Sequence, residues 1–406
     1  MINTSTTVVN IRRRVKKHIW SKKLSLVAST EPGLESICAK ELDSMGLGPA
    51  VILEYGVSFA SKLDGAYKAL LGLRTAERVS LEILSVKPGF ERFRRAARRV
   101  PWEVYLNQGQ RVSLITFSGM GKGAGARAGD TIQRIVCSRF EHLELEPPAF
   151  NENKHGKDMV LRLDKDLTRL FLDLTGNPMH KRGYRLATGP APLRETIAAG
   201  LLLLCEYNKE KPLFDPMCGS GTVAIEAAMI ARNKAPGVKR NFAVEQLPFH
   251  RKKMFENLKF SMSRSESKQI SALILANDIK AGSVEVAKAN AKRAGTLEDI
   301  IFARADFFKN KLRKDIGVTG AGLLAMNPPL GKRIGGRPAA SALAEDITGA
   351  LGKYYKGWKF GIVTTNPEVF KAVNSKGNYE LKLIKDLPVI QGGLGLHLMY
   401  GKVLSR

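Results

Sequence analysis

The chain has 406 residues, with 65 Lys plus Arg against 38 Asp plus Glu and a formal charge of +27. That length allows two or three domains, and 44% hydrophobic residues are ample for real cores. So large a positive excess opposes compactness and favours a polyanionic partner: nucleic acid leads, an anionic membrane surface is the rival, and a generally basic proteome is the plain alternative.

The membrane rival has no long basic amphipathic helix with aromatic anchors to support it. No apolar run reaches the roughly 20 residues needed to span a bilayer; the longest, 198–205, is too short. The four cysteines, Cys38, Cys137, Cys205 and Cys218, form no C-x-x-C pair. A zinc ribbon or redox motif is therefore not expected, nor any metal, and unpaired thiols fit a reducing compartment.

Residues 1–23 carry no acid and a basic cluster from Arg12 to Lys23. They read either as an organelle transit peptide or as a disordered basic arm touching RNA phosphate. Cytoplasmic residence is the expectation, with an organelle as the alternative if this segment is a transit peptide. Residues 24–28 predict a first strand. A helix is expected over 31–45, with Pro32 near its start, acids in its first turn and Gly46 as its stop. A strand pair or bent strand follows over 51–59, a helix over 64–73 and a strand over 78–86. This order suggests a small α+β unit over 24–88.

Residues 89–175 form a second, basic segment. Residues 90–99 interleave arginines with apolar positions, and 112–117 alternate as a strand does. The glycine-rich stretch 119–129, with Lys122 and Arg127, predicts a turn that either cradles phosphate or is a flexible connection. A helix is expected over 130–140, and paired strands over 159–163 and 170–174.

From about 176 strands alternate with helices, which indicates a parallel sheet. The expected strands are 212–217, 271–277, 300–305, 322–326, 360–364, 379–387 and 396–404. Residues 233–268 interrupt the alternation as a polar, basic excursion. The last two strands have no helix between them and predict a hairpin at the sheet edge.

Asp215-Pro216-Met217-Cys218-Gly219-Ser220-Gly221-Thr222 sits at a strand-to-helix switch, where ligands bind in doubly wound sheets. Gly219 and Gly221 allow a tight turn and close backbone approach. Asp215 places an anion where it can meet the ammonium of an amino-acid-bearing cofactor. The third dinucleotide glycine and the Walker G-K-[ST] ending are both missing, which weakens the NAD and ATP readings. Asp278, after the next strand, can accept both ribose hydroxyls. Asp306, after the one beyond, can accept from an adenine amino group. Singly, either Asp can equally be a helix N-cap. Cys218 has no nearby His partner and reads as a packing residue.

Asn327-Pro328-Pro329-Leu330 ends an apolar strand. The exocyclic amine of a purine is a poor nucleophile, because its lone pair is delocalised into the ring. Two acceptors, the Asn327 side-chain oxygen and the Pro328 carbonyl, can hold both amino hydrogens and aim the lone pair at an electrophilic methyl. The prolines fix the backbone beforehand, and positioning is the main catalytic effect. The plain alternative is a Pro-rich turn.

These motifs together resemble the THUMP-containing RNA methyltransferases of the class I, S-adenosylmethionine-dependent group, and among them the bacterial large-subunit rRNA guanine-N2 methyltransferase family. The resemblance runs from Leu24 almost to the end. Residues 28–35, His180-Lys181-Arg182-Gly183-Tyr184-Arg185, residues 192–196 and residues 215–228 carry it. It implies a ferredoxin-like unit over 24–88, a THUMP RNA-binding region over 89–175 and a Rossmann-like seven-stranded methyltransferase domain over 176–406. It implies S-adenosylmethionine as cofactor, with Asp215, Pro216, Gly219 and Gly221 at its methionine part, Asp278 at the ribose and Asp306 at the adenine. Asn327, Pro328, Pro329 and Leu330 fall at the target amine. Lys181, Arg182 and Arg185, in the joining segment, are expected to bind RNA together with Lys122 and Arg127. The family usually has an aromatic residue at the place of Leu330 and an acid at the place of Lys332; Leu330 offers a flipped base apolar contact without stacking. The expected function is methyl transfer to a guanine N2 amine of large-subunit rRNA or its assembly precursor. The alternatives are a tRNA guanine-N2 methyltransferase and a catalytically weak rRNA-binding assembly factor.

Overall fold

The computed structural model describes residues 4–119, 121–150, 158–185, 193–309, 316–318, 320–329, 337–368, 370–371 and 381–404. These fall into two compact units. The first comprises Met1–Ser29, Ala39–Met179 and Arg240–Phe260; the second comprises Thr30–Cys38, His180–Lys239 and Ser261–Arg406.

The first unit begins with α1 (Thr4–Val15), followed by a π-turn over Lys16–Trp20. The disordered arm expected for residues 1–23 is thus corrected from Thr4 onward. Val15 and Ile19, four apart, share one helix face and are 2% and 0% exposed. Two apolar anchors among many cations suffice to dock the segment, and composition alone hides them. The strands β1 (Leu24–Thr30), β2 (Val51–Leu53), β3 (Gly56–Ser61), β4 (Ala76–Val86), β6 (Leu114–Ser118), β8 (Met159–Leu163) and β9 (Thr168–Asp173) form one sheet, ordered β2-β3-β1-β4-β9-β8-β6. The antiparallel β4–β9 pair joins the strands expected of the ferredoxin-like unit to those expected of the THUMP region, so no break in the sheet falls at residue 88. A short parallel pair, β5 (Arg111–Val112) with β7 (Ala149–Phe150), lies apart from this sheet. The helices are α2 (Glu35–Ser44), of which Glu35–Cys38 count with the second unit, α3 (Leu63–Gly72), α4 (Phe90–Arg99) and α5 (Lys122–His142).

Two expectations differ here. The helix expected from Glu31 begins at Glu35, because Gly33 holds φ +101° and a side chain there would run into the Pro388 carbonyl. From Lys122 onward the glycine-rich stretch is neither turn nor flexible connection but the first two turns of α5. A Cβ on Gly125 would lie 3.1 Å from Thr116 Cγ2, and one on Gly129 3.4 Å from Thr116 Oγ1. The glycines let α5 lie close on β6, and that packing outweighs their poor helix propensity.

The second unit is a doubly wound sheet. Its strands are β10 (Leu213–Asp215), β11 (Ile274–Asp278), β12 (Ile300–Arg304), β13 (Leu323–Met326), β14 (Lys359–Thr364), β15 (Leu381–Gln391) and β16 (Leu394–Val403), ordered β12-β11-β10-β13-β14-β16-β15. The first five run parallel; β16 is antiparallel to both β14 and β15. All seven expected strands are present. The hairpin inserts β16 inside the sheet and leaves β15 at the edge. Its helices are α6 (Glu195–Leu204), α7 (Thr222–Ala231), α9 (Ala281–Ala294) and α10 (Arg337–Tyr354), while α8 (Lys252–Arg264) belongs to the first unit up to Phe260. One face of the sheet buries Ile197, Leu201, Ile225 and Ala287 with Leu34 and Ile37; the other buries Phe214, Leu324, Ile347, Tyr355 and Trp358. The excursion over 233–268 is largely accounted for by Arg240–Phe260, which packs with the first unit. Among the described residues no helix is long and apolar enough to cross a membrane.

Candidate active site

The chain moves outward from β10 through β11 to β12, then returns to β13 on the other side of β10. That reversal opens a crevice beyond the strands' carboxyl ends. Asp215 ends β10 and Asp278 ends β11, while Asp306 lies two residues past the end of β12. Register pairs Asp215 with Ala276 and Asp278 with Arg304, so the three acids step outward across neighbouring strands.

Asp215 is 1% exposed. Neither of its oxygens makes a hydrogen bond of normal geometry among the described residues. Burial pushes its carboxyl up to about 8; the amides of Ala224 and Met217 lie near enough to oppose this only in part, and the charge of Asp278 adds to it. A carboxyl so placed either keeps its proton or takes a cationic partner, and a ligand ammonium is a fitting one. Gly219, at φ +52°, would direct a Cβ into open space, so the loop leaves room on that side. Gly221, at φ +82°, is required by packing: a Cβ there would sit 3.0 Å from that of Ala287, and its absence lets α7 approach α9.

Asp278 also holds the loop. Its Oδ2 accepts from Gly219 N–H at 3.1 Å and its Oδ1 from Lys280 N–H at 2.9 Å. Asp306 accepts from Phe308 N–H at 3.0 Å and caps a short turn while staying partly exposed. Burial raises the Cys218 thiol far above its usual range, which leaves it an inert packing group.

Asn277, which sequence reasoning missed, is 1% exposed and ties three strand ends together. Its Nδ2 donates to the carbonyls of Pro216 (3.2 Å) and Ala305 (2.9 Å). An amide at the end of an otherwise apolar strand was the available signal.

On the other side of the crevice, β13 pairs Leu323 with Leu213 and Leu324 with Phe214. Asn327 therefore lies two residues beyond the level of Asp215, on the adjacent strand about 4.8 Å away. It is half-buried, Pro328 is buried and Pro329 is exposed. Leu330 and Lys332 lie outside the described residues.

The cations expected to meet RNA separate into two groups. Lys181 is exposed, and so is Arg127, whose guanidinium stands 4.9 Å from the Phe90 ring centroid. The Lys122 side chain lies outside the described residues. Arg182 and Arg185 differ from expectation, because both turn inward. Arg182 Nε is 3.5 Å from Glu226 Oε1, with side chains 1% and 0% exposed; Arg185 Nε is 3.6 Å from Glu195 Oε1. Arg185 Nη2 also donates to Thr222 Oγ1 at 2.6 Å, just after the glycine loop. From the opposite side Asn290 Nδ2 donates to the Ser220 carbonyl at 2.9 Å, and Arg293 links Asn290 back to the Tyr184 carbonyl. The joining segment thus braces the loop.

The Asp215 environment sets a pH dependence. An acid held near 8 in the folded chain and near 3.8 when unfolded binds more protons in the folded state, so its contribution to stability is present below about 4 and is lost as pH rises through about 8. Asp215→Asn is expected to abolish this loss. In thermal melts of ligand-free protein the stability of the variant relative to wild type should grow as pH rises across that window. Its affinity for S-adenosylhomocysteine should fall. A variant–wild-type difference flat with pH would refute the assignment.

The strand order, the glycine loop on the central strand and the ladder of acids define a class I methyltransferase domain, whose cofactor is S-adenosylmethionine. Residues 182–391 match the family described as the RMKL-like methyltransferase domain, and residues 25–80 match the RlmL ferredoxin-like domain. The chain belongs to this RMKL-like methyltransferase family. It is 31% identical over 370 residues to YpsC of Bacillus subtilis, an RNA methyltransferase by name alone, covering 89% of this chain and 93% of that one. It is 30% identical over 365 residues to the ribosomal RNA large subunit methyltransferase K/L of Vibrio campbellii, covering 88% of this chain and 51% of that one. The chain thus spans about half the length of the K/L relatives it matches. The structure of SMU.472 in complex with SAH superposes with a TM-score of 0.80 at 26% identity, covering 95% of this chain and 99% of that one.

Proposed function

We propose that the chain methylates RNA, transferring a methyl group to the exocyclic N2 amine of a guanine in large-subunit rRNA. The observation that carries this reading is the position of Asn327 and Pro328, one strand across from Asp215 and two to three residues beyond its level. S-adenosylmethionine, when bound, supplies the electrophilic methyl. Asp215 meets its ammonium in this reading, Asp278 its ribose hydroxyls and Asp306 its adenine. Asn327 Oδ1 and the Pro328 carbonyl hold the two amino hydrogens and turn the nitrogen lone pair toward the methyl. No strong base is needed at that step, because the proton can leave after transfer. The name of the V. campbellii relative supports large-subunit rRNA as substrate, and the +27 charge supports a polyanion.

The test is transfer of labelled methyl from S-adenosylmethionine to isolated rRNA and tRNA, followed by nucleoside analysis. N2-methylguanosine in large-subunit rRNA is the expected result. The same nucleoside in tRNA alone would move the substrate, and cofactor binding without transfer to any RNA would leave an assembly factor. RNA affinity is also expected to fall steeply as salt rises from about 50 to 200 mM, through counterion release. A flat response would remove the charge argument.

A further inference from the structure

Two grooves in the first unit carry charge that the methyl-transfer site does not use. One, of about 660 Å³, lies between α4 and α5 and is lined by Arg94, Arg98, Arg134 and His142 beside Phe90. The other, of about 550 Å³, lies between the N-terminal helical segment and the start of α8, where Arg12 and Trp20 face Arg251, Lys252 and Lys253. Among the described residues no Asp or Glu lines either groove. Among the described residues no carboxylate lies within ion-pair distance of Arg12, Arg98, Arg134 or Lys253, and all four are exposed. Cations gathered without counter-charge repel one another, and a polyanion relieves that repulsion.

The two grooves are joined through a buried acid. Glu103, 1% exposed, receives Arg139 of the first groove at 2.9 and 3.0 Å and pairs also with Arg14 of α1. This cluster fixes α1 near α5 and neutralises the inner cations; Arg94 pairs with Glu91 and Lys252 with Glu256, and Arg12, Arg98, Arg134 and Lys253 remain for a ligand. The second groove is equally firm. Trp20 Nε1 donates to the Phe249 carbonyl at 2.9 Å, and the Arg251 guanidinium stands 5.4 Å from the centroid of the indole.

We infer that the two grooves form one track for the sugar–phosphate backbone of RNA, running from α4 and α5 onto the N-terminal helical segment and the start of α8. The inference rests on the RNA reading above; it narrows the RNA contact expected of residues 1–23 and 89–175 to these two grooves and adds the start of α8 to it. Concave grooves with fixed cations suit a strand; a bilayer surface requires a convex face with apolar anchors.

The test uses full-length protein and fluorescence anisotropy with a labelled RNA stem-loop bearing a single-stranded tail. The pairs Arg12→Gln/Lys253→Gln and Arg98→Gln/Arg134→Gln are compared with a charge-matched control pair, Lys382→Gln/Lys402→Gln, on exposed positions of β15 and β16. Each groove pair is expected to weaken binding several-fold and to lower the salt slope by about 2, one for each phosphate contact, with melting temperature and S-adenosylhomocysteine affinity unchanged. The control pair should leave the slope close to wild type. Equal losses in the control, or a loss from the α4–α5 pair alone, would overturn the track while leaving the RNA reading intact. Wild type that fails to bind RNA would overturn both. Groove-dependent binding to phosphatidylserine vesicles in place of RNA would overturn the choice of partner.

Discussion

Asn327→Ala is expected to lower the methyl-transfer rate by about 10²–10³-fold, the usual cost of losing one preorganised polar group aimed at the reacting centre. The fold should survive, because Asn327 is only half-buried and sits just past the end of β13. Affinity for S-adenosylhomocysteine should hardly change, since the Asp215–Thr222 loop lies on the neighbouring strand and is braced independently by Asp278, Asn290 and Arg185. Asn327→Asp retains an acceptor oxygen and should lose less. Single-turnover transfer together with calorimetric titration separates these outcomes. Wild-type turnover by the Ala variant would sink the amine cup, and equal loss of cofactor affinity would make Asn327 a structural residue of the loop.

Glu226→Ala is expected to destabilise the second unit by about 3–5 kcal/mol, the penalty for removing one partner of a buried ion pair. Glu226 is 0% exposed and receives both Arg182 and the Tyr184 hydroxyl, the latter at 3.2 Å. Arg182 loses its carboxylate but stays in the core. Replacing both partners with apolar residues of similar length, Arg182→Met with Glu226→Met, should recover much of the loss, because no buried charge then lacks its counter-ion. Chemical denaturation of the three variants checks the pattern. A double variant no more stable than Glu226→Ala would show that Arg182 acts mainly through other contacts.

These two residues mark how far the sequence could be read. The place of Asn327 was legible because a polar residue followed by two prolines marks the end of an apolar strand, and β13 ends at Met326. The second sheet was legible for a related reason: short apolar strands separated by helices, then two strands without a helix between them, admit few topologies. Arg182 and Arg185 were misread, since a basic segment reads the same whether its cations face solvent or are matched by acids from elsewhere. Glu195 lies ten residues from Arg185 and Glu226 forty-four from Arg182, and only the fold brings each pair together. The glycines over 119–129 failed for a similar reason. Taken locally they oppose a helix, and the close approach of α5 to Thr116 on β6 is what requires them.

The sequence by itself determined where the second sheet's strands lie along the chain, the loop after β10, the acids at successive strand ends and the Asn-Pro-Pro turn. Each depends on local periodicity or on one residue's chemistry, and both can be read along the chain. Tertiary structure alone decided that the first sheet runs unbroken through β4 and β9, that Arg240–Phe260 packs with the first unit, and that α1 and the following turn dock through Val15 and Ile19. It also decided which cations are spent inside. In each case the deciding quantity is the burial of one segment against another distant in sequence, and no local pattern encodes the partner.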